Sequence, residues 1–84
     1  MSTHVIEVNE GVVEASRQGV DWWQLHRQRL ASSGKLRETK AACVVGGVVE
    51  LGPYAEDDAQ FMAEHMVTAG GMPKSAVKVK RARA

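Results

Sequence analysis

Residues 43–71 read CVVGGVVELGPYAEDDAQFMAEHMVTAGG, and the fold turns on how that stretch is parsed. Apolar β-branched residues on both sides of Gly46-Gly47 predict a hairpin, with strands over residues 40–45 and 48–51 and a type I′ turn at the glycines. Gly52-Pro53 closes the second strand, because proline has no N–H to give to a ladder. Glu56, Asp57 and Asp58 follow, where the positive end of a helix dipole favours carboxylates. Ala59, Met62, Ala63, Met66 and Val67 then recur at helical spacing on one face. This predicts a helix over residues 55–69, stopped by Gly70-Gly71 and Pro73. Met66 lies mid-face, while Phe61 falls outside the face and is expected at the surface.

Working outward, Val5, Ile6 and Val8 precede Asn9-Glu10-Gly11, and Val12-Val13-Glu14-Ala15 follows. The pattern reads as a first hairpin, with strands over residues 4–8 and 12–15 and Gly11 free to take a positive φ. After a connector, an amphipathic helix is expected over residues 20–32. Its apolar arc holds Trp22, Trp23, Leu25, His26 and Leu30, opposite Asp21, Gln24, Arg27 and Gln28, and Gly34 stops it. At the far end, residues 76–79 read as a last strand and 80–84 as a frayed basic tail. The fold class is therefore α/β of the α+β kind: one domain over residues 1–84, a small, mainly antiparallel sheet, and two helices on one face. A shift of 36 positions pairs Val8 with Val44, Gly11 with Gly47, Val12 with Val48, Glu14 with Glu50 and Asp21 with Asp57. That suggests a ββα pseudo-repeat plus a final strand. Any two ββα units share Val in strands and Gly in turns, so common ancestry stays open.

Composition narrows the function classes. With 84 residues, 44% hydrophobic and 25% charged, the chain has the make-up of a globular domain whose core is thin. A formal charge of +1 gives no global pull toward nucleic acid or membrane. No apolar run approaches a membrane span, and MSTHVIEVNE has no signal-peptide pattern. Cys43 is the sole cysteine, which leaves no internal disulfide and fits a reducing compartment. The expected location is the cytoplasm.

The stretch VVELGPYAEDDAQFMAEHMVTAGG runs from a strand through Gly-Pro-aromatic into an acid-started helix ending Ala-Gly-Gly. It resembles the half-units of SPOR peptidoglycan-binding domains and is similar to small accessory proteins of actinobacterial phages. The resemblance covers residues 48 to about 79 and rests on turn chemistry. The first likeness implies glycan binding behind a membrane anchor, a pattern from which the expected cytoplasmic location departs. The second implies a small cytoplasmic protein acting on host machinery.

Individual residues carry few chemical signals. Cys43, His4, His26 and His65 lack the C-x-x-C or H-x-x-x-H spacing of metal sites, and no metal or cofactor is expected. Cys43 sits among Ala and Val, the setting of an inert buried thiol. His26 reads as a core or boundary histidine. Glu56-Asp57-Asp58 could form half of an acid/base site, yet helix-dipole duty accounts for the three acids. With no catalytic pair at telling spacing, an enzyme is not expected.

Trp22-Trp23 carries more information. Adjacent helix positions diverge by about 100°, so a narrow core covers either both rings or only one. Trp and Arg are the residues most enriched at interface hot spots. A protein-binding module, of which a homodimer is one form, would therefore use Trp22, Trp23, Arg27, Arg29 and Phe61. The alternative is nucleic-acid binding through Lys78, Lys80, Arg81 and Arg83, part of a C-terminal stretch holding five of the eleven basic residues. A solvated, frayed end explains those charges equally well.

Overall fold

The computed structural model of the chain describes residues 3–38 and 47–82. In order, the elements are β1 (His4–Asn9), α1 (Glu10–Ser16), α2 (Val20–Ser33), β2 (Leu36–Glu38), β3 (Val48–Tyr54), α3 (Glu56–Thr68), a 3-10 turn (Lys74–Ala76) and β4 (Val77–Arg81). The strands form one antiparallel sheet in the order β2-β3-β1-β4. β1 and β2 thus run the same way with β3 between them, and β3 and β4 do so with β1 between them. The architecture is α+β: two interlocked split β-α-β units.

Register sorts the two faces of the sheet. Ile6 lies opposite Leu51 and Val79, and Val8 opposite Val49 and Val77. Strand alternation puts these side chains on one face, where all three helices cover them. Val13 of α1, Trp23 of α2, and Ala59 and Met66 of α3 complete the buried cluster, with Met72 and Ala76 after α3. Each large apolar side chain so buried contributes roughly 1.5–3 kcal/mol. The other face carries Glu7, Glu50, Arg37, Lys78 and Lys80.

The first hairpin is corrected. Residues 12–15 do not form a strand; they lie in α1. Asn9 caps that helix, its side-chain oxygen accepting from the Val12 N–H at 3.3 Å, and Glu10 occupies the first turn. Arg17, at φ 56°, closes it. The Asn9-Glu10 pair was thus a start signal that outweighed the β-propensity of Val12-Val13. Because the first half lacks its second strand there, it is not a ββα unit.

The second expected boundary also moves. β3 continues through Gly52-Pro53 to Tyr54. A register shift between His4 and Ile6 makes room for Pro53, and Tyr54 resumes pairing with His4. Gly52 sits at φ 128°, where a Cβ would lie 3.1 Å from the Tyr54 nitrogen, and its own N–H donates to the Lys35 carbonyl at 2.8 Å. The expected strand at 40–45, Cys43 and Gly46 of the turn lie outside the described residues. Within them, β3 pairs with Leu36–Glu38. The two longer helices stand where the periodicity placed them, as α2 and α3. β4 runs to Arg81, and the Ala82 N–H donates to the Thr3 carbonyl at 2.8 Å, so Lys80 and Arg81 belong to the sheet, not to a frayed tail.

Candidate functional site

Both long helices place an aromatic residue four positions before a histidine: Trp22 and His26 on α2, Phe61 and His65 on α3. Residues i and i+4 are neighbours on a helix surface. Trp22 and His26 stack with centroids 3.7 Å apart and planes 16° from parallel. The His26 Nδ1 lies 2.9 Å from the Trp22 carbonyl oxygen. A carbonyl only accepts, so Nδ1 carries the proton and the ring is held in place. Phe61 and His65 stack at 6.1 Å and 12°, and His65 reaches across to Trp22 at 6.1 Å. Four rings therefore run unbroken from α2 to the outer crest of α3.

Glycine makes that bridge sterically feasible. A Cβ on Gly70 would lie 2.7 Å from the Trp22 ring and 2.5 Å from the Met66 carbonyl oxygen. A Cβ on Gly19, which sits at φ 70°, would likewise lie 2.7 Å from the Gly70 carbonyl oxygen and from the Met72 side chain. Trp22 thus lies over the end of α3 because no side chain stands there. An open groove of about 500 Å³ borders it, lined by Arg17, Gly19, Val20, Asp21, Trp22 and Gly70.

The adjacent tryptophans part company, and Trp23 is corrected from a surface candidate to a core residue. It is 3% exposed, with its indole N–H donating to Glu10 Oε2 at 2.8 Å. Arg27 Nε donates to the same oxygen at 2.8 Å. Glu10 therefore draws Trp23 and Arg27 toward α1, which rotates the inner face of α2 away from the expected arc. Leu25, expected in that arc, is 51% exposed. Trp22 is half-buried, Arg29 is exposed seven positions after it on the same helix side, and Phe61 is 69% exposed. Of the five sequence candidates, the structure links Trp22 and Phe61 through His65, leaves Arg29 exposed two turns further along α2, and turns Trp23 and Arg27 toward Glu10.

The basic residues of the alternative reading lie on β4. Lys80 Nζ donates to Glu7 Oε2 at 2.7 Å and to Glu50 Oε2 at 3.2 Å. These hydrogen bonds, Glu7's first, raise its pKa above the ordinary lysine value. Lys78 and Arg81 are exposed, and Arg83 lies outside the described residues. Across the ladder from Arg81, His4 Nε2 lies 3.8 Å from Glu56 Oε2. Burial raises the pKa of the neighbouring Tyr54, which keeps its phenol protonated. Among the described residues, no three His, Cys, Asp or Glu side chains gather as metal ligands would, and no helix is long and apolar enough to cross a membrane.

The sequence reading missed His26 and His65 as members of a ring cluster, having weighed them only as metal ligands or core residues. The repeated aromatic-x-x-x-His spacing was the signal that could have found them. It also missed Leu25, because Glu10, the residue that rotates α2, lies 13 positions upstream of Trp23. Comparison with protein-family models, curated proteins and solved structures returned no match.

Proposed function

We propose that this chain is a non-enzymatic protein-binding module whose docking surface is the outer side of the α2–α3 layer. One observation carries the reading: Leu25 on α2 and Phe61 on α3 are strongly exposed large hydrophobic residues, and the Trp22, His26, His65 and Phe61 rings join the two helices that carry them. Exposed aromatic and aliphatic side chains that share one face are what an interface buries. A cytoplasmic setting, and a role on host machinery as the phage-protein resemblance implies, are compatible with such a module. The nucleic-acid alternative has less behind it, since two carboxylates already hold Lys80.

The test compares captured partners. Immobilised wild-type protein, Phe61→Ala, Trp22→Ala and Lys80→Ala are exposed to the same lysate, after circular dichroism has shown each to be folded. The proposal requires a specific partner held by the wild type and by Lys80→Ala and lost from both aromatic variants. Identical captured sets from all four proteins would dismiss this surface.

A further inference from the structure

The ring-and-leucine surface is apolar at its centre and one-sided in charge at its α3 rim. From Glu56 to Thr68 there is no Lys or Arg, while Glu56, Asp57, Asp58 and Glu64 are all exposed. Glu56 has His4 nearby. Asp57, Asp58 and Glu64 have no ion pair among the described residues. Counted from Phe61, they stand at i−4, i−3 and i+3, so they surround its ring on the helix surface. The helix dipole accounts for acids in the first turn only, since its effect fades within that turn. Glu64 stands well beyond it. Elsewhere Glu7, Glu10 and Glu50 each have a cationic partner within the chain, while Glu14 and Asp21 stand singly on other helices without one among the described residues.

The geometry points to a cationic, amphipathic protein segment as the occupant of this surface: an apolar face seated on Leu25, Trp22 and Phe61, with lysines or arginines reaching Asp57, Asp58 and Glu64. This inference rests on the docking role proposed above and names its partner class. Unpaired carboxylates around an exposed aromatic residue repel phosphate backbones and anionic lipid surfaces, which disfavours nucleic acid and membrane as occupants. They attract a basic segment and set its register, while the apolar centre supplies the burial. An amphipathic helix whose apolar side chains lie between two helix crests is an established mode of peptide recognition.

The experiment titrates the full chain by calorimetry with three synthetic amphipathic peptides of about 16 residues, long enough to form helix on binding. They share one Leu/Phe face and carry Lys, Gln or Glu at the polar positions. The lysine peptide is expected to bind at least about tenfold tighter than the glutamate peptide at low salt, the gap shrinking as salt screens the rim. The triple variant Asp57→Asn/Asp58→Asn/Glu64→Gln should lose that preference and keep its affinity for the glutamine peptide. Phe61→Ala should weaken all three. Equal binding of the three peptides, or a preference that survives in the triple variant, overturns the cationic assignment and leaves the docking surface standing. Binding indifferent to Phe61→Ala, or no binding of the lysine peptide, overturns both. Sedimentation of the chain alone closes the test: self-association abolished by Phe61→Ala would make a second copy the occupant and overturn the cationic segment.

Discussion

The open face of the sheet and the outer face of the helix layer are both charged surfaces, and they differ in how their charges are answered. On the sheet, Arg37, Glu50, Glu7 and Lys78 stand in one row across all four strands, and Lys80 bridges the two adjacent glutamates. Like charges side by side on neighbouring strands are unfavourable unless a cation intervenes, and here β4 supplies it. On the helix layer, Asp57, Asp58 and Glu64 have no such answer among the described residues, and Leu25 and Phe61 remain in water. Surface ion pairs contribute little to stability, typically about 0–1 kcal/mol, so the value of the sheet network lies mainly in neutralising a face. Among the described residues, the helix layer is the surface whose carboxylates lack cationic partners, and the proposed docking rests on it.

Trp23→Ala should show the largest effect, since it strikes the element that separates the two surfaces. It removes a buried ring and leaves Glu10 with Arg27 alone, and truncations of this kind cost about 3–5 kcal/mol. Chemical denaturation measures the loss. A near-wild-type midpoint would mean that α2 is not anchored through this ring. Met66→Asp attacks the same layer from α3, at a position 1% exposed. An unpaired charge there should cost at least about 3 kcal/mol. A thermal melt matching the wild type would show that α3 presents a different face to the sheet.

These two sites also show what the sequence could and could not convey. The Met66 face was readable because local periodicity sets it: five apolar residues at helical spacing admit one inner side. The α2 face was not, because a carboxylate outside the helix settles it. Without Glu10, the Trp22–Leu30 arc and the observed orientation centred on Trp23 serve almost equally well. Residues 12–15 fell to the same ambiguity on a smaller scale, since two valines fit a strand or a short helix and Asn9 decides between them. The β3 bulge was hidden because Gly-Pro reads as an ending wherever no neighbouring strand accommodates the extra residue. Charge pairing needs register, so neither the neutralised sheet face nor the unanswered α3 rim could be seen before the strands were aligned.

Lys80→Glu addresses the neutralised face directly, setting a third carboxylate against Glu7 and Glu50. A loss of about 1 kcal/mol is expected, smaller at high salt. The pH dependence has a definite sign. Glu7 and Glu50 raise the Lys80 pKa, so the stabilisation is complete below the ordinary lysine value and disappears as pH climbs through the raised one. Wild type and Lys80→Ala should therefore converge in stability on the alkaline side, near and above pH ~10.5, and remain separate at neutral pH. Convergence near neutrality would assign the network to other groups.

Phe61→Ser should have the smallest effect on folding, and for that reason it is the most telling. The ring is 69% exposed and its aromatic neighbour is His65, so its removal gives up little burial. Substitutions away from the core usually change stability by less than about 0.5 kcal/mol. A phenylalanine held in water by a helix that does not need it has a different physical standing from Trp23, which the fold cannot lose. If Phe61→Ser melts with the wild type yet loses the partner, stability and recognition reside on opposite faces of the same helix layer. If instead it destabilises the chain as a core residue would, by about 2 kcal/mol or more, the crest is covered within the chain itself, and the docking surface must be sought along the outer edge of β4, where Lys78 and Arg81 stand exposed.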